Sequence, residues 1–306
     1  MPFLLLCIYP PAGLDTFLID KLQPLTSLKC VLAVDGATIL ENHIYFSPRN
    51  VHLLIKKGNI ILGKGPEESR WRPSIDILFR SAAAAYNTRS IGIILTGLLD
   101  DGMAGMLAIK KSGGTLIVQD PNEAEYRDMP ESVLNNMKVD YSIPLIEMAP
   151  VIYLITRSGR KEIPAPREVI LESEIAEKVV ITYNNVKEIA EIGIYSCPDC
   201  GGGLWKMKKN DSSEPERYRC HIGHSYSEKD LSIKQGENFE KTLWIALRIM
   251  EERRNLLIKM HDDNFRSGLT DIALNYNKKV KSLEEHISKM KEILFDSKIT
   301  LNDFKD

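Results

Sequence analysis

Ile93-Ile-Leu-Thr-Gly-Leu-Leu-Asp-Asp-Gly-Met-Ala-Gly105 joins a short apolar run to the start of a helix through a turn that holds two aspartates. Similar apolar runs alternate with helical patterns on both sides of it. They cover residues 3–8, 16–22, 90–95, 104–111, 116–119, 141–144 and 145–156. This alternation predicts an α/β fold whose doubly wound, largely parallel sheet is covered on both faces.

The pattern changes between residues 28 and 63, where short strands and turns replace helices. His43-Ile-Tyr-Phe46 predicts a strand, and Gly58-Asn59 predicts a hairpin turn between apolar runs. We expect this part of the chain to be an antiparallel excursion at the edge of the sheet.

Five candidate metal ligands lie in Cys197-Pro-Asp-Cys200 and Cys220-His-Ile-Gly-His224. A Cys-x-x-Cys turn aims two thiolates at one point, and a second pair from a facing turn completes a tetrahedron. The spacing predicts a structural zinc held by Cys197, Cys200, Cys220 and His224, with His221 as the other candidate for the fourth position. Four protein ligands leave no open position for water, so we expect this metal to support folding and not to hydrolyse a substrate.

Two other readings of these cysteines are less favourable. A disulfide fits poorly with five cysteines and no sign of secretion, and a redox Cys-x-x-Cys does not need the second Cys/His pair.

Apolar residues recur at helical spacing near the C-terminus and predict two amphipathic helices with a break at Ser267-Gly268. We favour a helical hairpin over a coiled coil that binds a partner or forms a homodimer, because each helix offers only about three heptads. The expected domains are a catalytic-type domain at 1–156 and a linker with a short helical segment at 157–193, followed by a zinc-ribbon-like knuckle at 194–227 and the hairpin or coiled coil at 228–306.

Charge and composition exclude some functions. Forty basic residues against 42 acidic ones give no global basic field for nucleic acid. A local cluster of Lys206, Lys208, Lys209, Arg217 and Arg219 fits a solvated surface better than a phosphate track. The apolar start is too short to span a membrane, so we expect a cytoplasmic protein without direct membrane insertion.

Four ordered motifs resemble the catalytic domain of CheB-type chemotaxis methylesterases over about residues 3–150. They are the segment quoted above, Arg72-Pro-Ser-Ile-Asp-Ile-Leu-Phe-Arg-Ser-Ala-Ala83, Gly113-Gly-Thr-Leu-Ile-Val-Gln-Asp-Pro121 and Met129-Pro130. Some members of this family look to carry the same Cys-Pro-x-Cys and Cys-His-x-Gly-His tail. The resemblance implies hydrolysis of glutamyl methyl esters on chemoreceptors by a Ser-His-Asp triad, with deamidation as a second reaction, normally under a receiver domain that this sequence lacks.

Carried over to this sequence, the triad acid falls on Asp101. The family serine lies in a glycine-rich turn after an earlier strand, and this sequence has no Gly-x-Ser-x-Gly. The histidine position falls on Tyr9 when Pro11-Ala12-Gly13 is matched, or on Ile8 when Pro10-Pro11 is matched. Neither side chain is a useful base at neutral pH.

The resemblance therefore predicts a methylesterase family member that lacks its N-terminal strand and nucleophile turn and is inactive or severely impaired as written. A methyl-accepting chemoreceptor or similar signalling protein is the expected partner. The alternative is a non-catalytic, zinc-stabilised binding protein on a hydrolase scaffold, in which Asp101 only bonds backbone amides in its turn.

Overall fold

The computed structural model describes residues 4–6, 16–56, 58–159, 161–178, 183–212 and 214–295, with the backbone alone at 4–6 and 183–185. Its strands are β1 (Leu4–Leu6), β2 (Lys29–Leu32), β3 (His43–Phe46), β4 (His52–Lys56), β5 (Asn59–Gly63), β6 (Ile91–Ile94), β7 (Thr115–Gln119), β8 (Tyr141–Ile143), β9 (Ala190–Ser196), β10 (Gly203–Met207), β11 (Arg217–Cys220) and β12 (Ser225–Ser227). The α-helices are α1 (Phe17–Leu22), α2 (Ile75–Tyr86), α3 (Met103–Lys111), α4 (Asp128–Asn136), α5 (Leu145–Arg157), α6 (Arg167–Lys178), α7 (Tyr183–Ile189), α8 (Glu228–Arg266) and α9 (Thr270–Phe295). The chain divides into two compact units, Met1–Glu228 and Lys229–Asp306.

Two three-stranded parallel sheets form the centre of the first unit. One has the order β1-β3-β2 and the other β6-β7-β8. Helix α1 packs on the face of the first sheet that holds Cys30, Ile44 and Phe46. Helices α3 and α4 bury the second sheet around Leu116 and Val118. These parallel strands and covering helices confirm the α/β prediction.

The prediction of an antiparallel excursion is wrong for most of residues 28–63. Strand β3 pairs in parallel with β1 on one side and β2 on the other. Its residues Ile44, Tyr45 and Phe46 are all buried, which is the continuous apolar run expected of a parallel strand covered on both faces. Only β4 and β5 form an antiparallel hairpin, which turns where Gly58-Asn59 was expected to turn.

Helices α2 and α3 cross closely because Gly105 has no side chain. A Cβ atom at Gly105 would lie 2.6 Å from Phe79 Cβ and 3.0 Å from Asp76 Cα. The glycine that ends the quoted segment therefore allows α3 to approach α2 at the turn that holds Asp101.

An antiparallel four-stranded sheet with the order β12-β11-β10-β9 holds the Cys/His segment; we call it the ribbon. Helices α6 and α7 pack on it through an apolar cluster that includes Leu171, Ile175, Ile189 and Met207. The segment after the expected linker therefore folds as two helices that join the ribbon to the rest of the first unit.

The second unit consists of helices α8 and α9, separated at Ser267-Gly268 as expected. Leu247 of α8 and Ala273, Val280 and Ile287 of α9 are buried, which confirms the helical hairpin. Within the described residues, none of the helices has the length and apolar character that a membrane span requires. Association of two copies through these helices stays a prediction.

Candidate functional site

Asp101 is buried at the turn between β6 and α3, and it binds the start of α2. Its Oδ1 accepts hydrogen bonds from Ser74 Oγ at 2.9 Å and from the Asp76 amide at 3.1 Å, and its Oδ2 accepts one from the Ile75 amide at 2.8 Å. A carboxylate at this place satisfies the free amides of the helix and interacts favourably with the positive end of its dipole. Asp101 thus caps a helix that is distant in sequence.

Two other residues near the start of α2, Arg72 and Asp76, bind partners outside this helix. Arg72 donates to Asn50 Oδ1 and to the Gly65 carbonyl. Asp76 accepts from the Gly105 amide at 2.7 Å and from Ser69 Oγ at 2.9 Å. Neither side chain caps α2, because Asp101 already occupies that position.

Tyr9 and Ile8, the two candidates for the histidine position, lie outside the described residues. The structure therefore places only the acid of the expected triad, and the catalytic role of Asp101 stays a prediction.

The four expected metal ligands come together in the ribbon. Cys197, Cys200, Cys220 and His224 each offer one ligand atom, and these atoms lie within 4.8 Å of one another. Cys200 Sγ lies 3.7 Å from Cys220 Sγ, and His224 Nδ1 lies 3.6 Å from Cys197 Sγ and 3.4 Å from Cys220 Sγ. The cluster could hold a metal ion, whereas His221 is exposed and outside it.

The three separations of 3.4–3.7 Å are close to the edges of a zinc tetrahedron. With Zn–S bonds of about 2.3 Å and a Zn–N bond of about 2.05 Å, the edges are about 3.8 Å between sulfurs and about 3.6 Å between sulfur and nitrogen. The donor set of three sulfurs and one imidazole also suits zinc.

Two neighbours shape the Cys197 end of the cluster. Tyr226 Oη lies 3.1 Å from Cys197 Sγ and donates to Asp199 Oδ2 at 2.6 Å. Contacts from Cys220, His224 and Tyr226 lower the pKa of the Cys197 thiol to about 3. These contacts favour the thiolate of Cys197, the form that binds metal.

A buried cluster of charged residues lies where the ribbon meets α2 and α6; we call it the ion cluster. Arg219 Nη2 donates to Glu68 Oε2 at 2.5 Å, and Arg80 binds the other oxygen of Glu68. Arg217 makes a two-bond contact with Glu172, each bond 2.9 Å long. Arg80 Nε also lies 3.3 Å from Glu172 Oε2.

Charge pairing determines the ionisation of the ion cluster. Burial acts to raise the pKa of Glu68, but Arg219 and Arg80 outweigh it and hold that pKa at about 2. Burial also acts to raise the pKa of Glu172, but Arg217 and Arg80 outweigh burial and lower that pKa. Nearby Asp76 has its pKa raised to about 6 by burial, against the attraction of Arg80. All three carboxylates are therefore mainly ionised at pH 7.

The ion cluster corrects the expectation of a solvated basic surface. Arg217 and Arg219 are buried, while Lys206 and Lys209 pair with Glu216 nearer the surface. The sequence carries one signal for this, since Arg217 and Arg219 alternate along a strand that ends in a ligand cysteine. Their carboxylate partners have no comparable signal, because Glu68 lies 151 residues from Arg219.

Comparisons with known proteins identify relatives of the first half of the chain. The CheB methylesterase family model matches residues 1–152. A protein-glutamate methylesterase/protein-glutamine glutaminase of Geobacter metallireducens is 36% identical over 151 residues, which are 48% of this chain and 42% of that protein. A Leptospira interrogans protein assigned the same two activities is 35% identical over 142 residues, which are 46% of this chain and 74% of that protein.

The crystal structure of the Thermotoga maritima CheB methylesterase catalytic domain is 28% identical, with a TM-score of 0.47, and covers 49% of this chain and 82% of that domain. This chain covers 42% of the Geobacter protein and 43% of a protein-glutamate methylesterase/protein-glutamine glutaminase of Ralstonia nicotianae, so it spans less than half the length of these two relatives.

We expect Asp101→Ala to destabilise the first unit by about 2–4 kcal/mol, because it leaves buried amides at the start of α2 without an acceptor. Urea unfolding followed by circular dichroism measures the change. Asp100→Ala, at the half-buried neighbour of the same type, is the matched control and should cost less than about 1 kcal/mol. Equal losses in the two variants would contradict the capping role.

Proposed function

Because this chain belongs to the CheB methylesterase family, we propose that it recognises the methyl-esterified glutamate segments of a methyl-accepting chemoreceptor or a similar cytoplasmic signalling protein. The observation that carries the proposal is the buried Asp101 in the turn that follows β6, which the resemblance assigns to the family's triad acid. Acids at such strand ends face the crevice in which open α/β sheets bind ligands.

The surface beside Asp101 suits a protein substrate. Leu95 and Leu98, which follow β6, and Tyr126, which follows β7, are exposed. Hydrogen bonds between Thr96 and Tyr126 in both directions, of 2.8 and 3.2 Å, hold the two loops together. Exposed apolar groups that lie together are typical of a surface that binds another chain.

We further propose that the chain as written hydrolyses its ester poorly or not at all. The support is the side chain at the position of the base, which is Tyr9 or Ile8 according to the alignment and in neither case an imidazole. Loss of the base from a serine-type triad lowers turnover by about a million-fold. On this account the chain keeps a binding role on a hydrolase scaffold.

The test is methanol release from methylated receptor, measured together with receptor binding. We expect the unmodified chain to bind the receptor and to release methanol at the rate of its Asp101→Ala variant. Tyr9→His and Ile8→His variants, each also joined to a segment that carries the family's serine turn, examine the two alignments of the base, because a histidine without the nucleophile cannot restore hydrolysis. Methanol release by the unmodified chain well above that of Asp101→Ala would show that another residue serves as the base.

We also propose that the Cys/His cluster binds one zinc ion with a structural role. Its support is the donor set of three cysteines and one histidine, and the separations of 3.4–3.7 Å among their ligand atoms. Four ligands from the protein leave no position for substrate or water, so the ion stabilises the ribbon without taking part in hydrolysis.

The histidines provide a matched pair for testing the metal site. We expect the purified chain to contain one zinc per molecule by plasma mass spectrometry. His224→Ala should weaken zinc binding at least about tenfold in competition with a chelator, because it removes one of four ligands, and exposed His221→Ala should leave it unchanged. The reverse order would assign the fourth position to His221.

A further inference from the structure

Strand β11 presents two kinds of side chain to its two faces. Side chains alternate along a strand, so Arg217 and Arg219 point to one face and Tyr218 and Cys220 to the other. The arginines belong to the ion cluster, and Cys220 belongs to the Cys/His cluster of proposed metal ligands. The adjacent residues Arg219 and Cys220 therefore connect the two clusters through a single peptide bond.

The backbone next to His224 also connects the Cys/His cluster to the segment that carries Glu68. Ser225 directly follows the ligand His224, and its carbonyl accepts a hydrogen bond from the Ser69 amide at 3.1 Å. Glu68 and Ser225 also form a parallel bridge. The segment that carries Glu68 is thus attached to the ribbon by both its side chain and its backbone.

The ion cluster is balanced only while the ribbon is in place. Three arginines, Arg80, Arg217 and Arg219, form ion pairs with Glu68 and Glu172, and the buried carboxylate of nearby Asp76 is attracted by Arg80. If the ribbon unfolds, Arg217 and Arg219 leave, and Arg80 remains with three carboxylates. Unpaired buried charge is strongly destabilising, because its loss of hydration is no longer offset.

Helix α2 transmits this imbalance to the candidate site. Arg80 lies on α2, about one turn beyond Asp76. The amides of Ile75 and Asp76 at the start of the same helix hold the carboxylate of Asp101. A change in the packing of Arg80 therefore acts on the element that positions Asp101.

We propose that metal binding at Cys197, Cys200, Cys220 and His224 controls the order of α2 and Asp101, with Arg217 and Arg219 as the residues that couple the metal cluster to the methylesterase scaffold. This inference rests on the proposed metal site and goes beyond it. A metal that only stabilised a separate C-terminal module would leave α2 unaffected. In this chain, loss of the metal disorders α2 and Asp101, which form part of the candidate site.

Hydrogen–deuterium exchange on the full chain tests the proposal. The zinc-loaded chain is compared with the chain after treatment with EDTA, and exchange is read for peptides covering 75–86, 190–227 and 270–295. We expect metal removal to raise exchange at least tenfold over both 190–227 and 75–86. The α9 segment, 270–295, belongs to the second unit and serves as the internal reference.

Variants of the coupling residues test the ionic part with the metal still bound. Arg219→Gln should lower the melting temperature by roughly 10 °C and raise exchange over 75–86, since it leaves Glu68 underpaired. Lys206→Gln, at an exposed pair on the same sheet, should change the melting temperature by less than about 2 °C. Adding Glu68→Gln to Arg219→Gln removes the uncompensated charge and should recover at least half of the loss.

The outcomes separate this proposal from the metal site itself. If zinc binds and its removal opens 190–227 while exchange over 75–86 stays unchanged, the coupling is wrong and the metal site stands. If the chain binds no zinc, both are wrong. If Arg219→Gln does not fold, the EDTA comparison and the double variant still test the coupling. A double variant that is no more stable than Arg219→Gln contradicts the ionic part of the coupling.

Discussion

Three arginines and three carboxylates share a buried space between α2, α6 and the ribbon, and the first unit depends on their balance. Glu68 bridges Arg80 and Arg219, and Glu172 bridges Arg80 and Arg217. Removing so many charges from water costs several kcal/mol per ion, which only close pairing offsets. A cluster of this kind adds little net stability compared with an apolar core, but it makes any loss of one partner costly.

This constraint explains why the Cys/His segment is part of the first unit and not an independent appendage. The Cys/His cluster includes Cys220, the last residue of β11, and β11 also supplies two of the three arginines. Helix α6 supplies Glu172 and also packs on the ribbon through Leu171 and Ile175. Helix α2 carries Arg80, which pairs with Glu68 and Glu172, and its first amides donate hydrogen bonds to Asp101. Metal cluster, ion cluster and candidate site thus form one continuous series of contacts.

Much of this arrangement could be predicted from the sequence, because the signals are local. Apolar runs predicted the strands and helices, and Cys-x-x-Cys spacing predicted the four clustered residues. Strand pairing was less accessible: the continuous apolar run of β3 is typical of a parallel strand, but no short-range pattern reveals that β1 and β2 are its neighbours. The ion cluster left only one signal in the sequence, the alternation of Arg217 and Arg219 along β11, and both arginines look like surface residues until their partners are known. Those partners, Glu68 and Glu172, lie 151 and 45 residues away.

Native-state hydrogen exchange in increasing urea, on the zinc-loaded full chain, tests most directly whether ribbon and scaffold form one folding unit. Our account predicts that slowly exchanging amides of β10, β11 and α2 converge on one opening free energy with one urea dependence, because all three elements lose the ion cluster together. A separate opening of β10 and β11, at lower free energy and with α2 still protected, would contradict it.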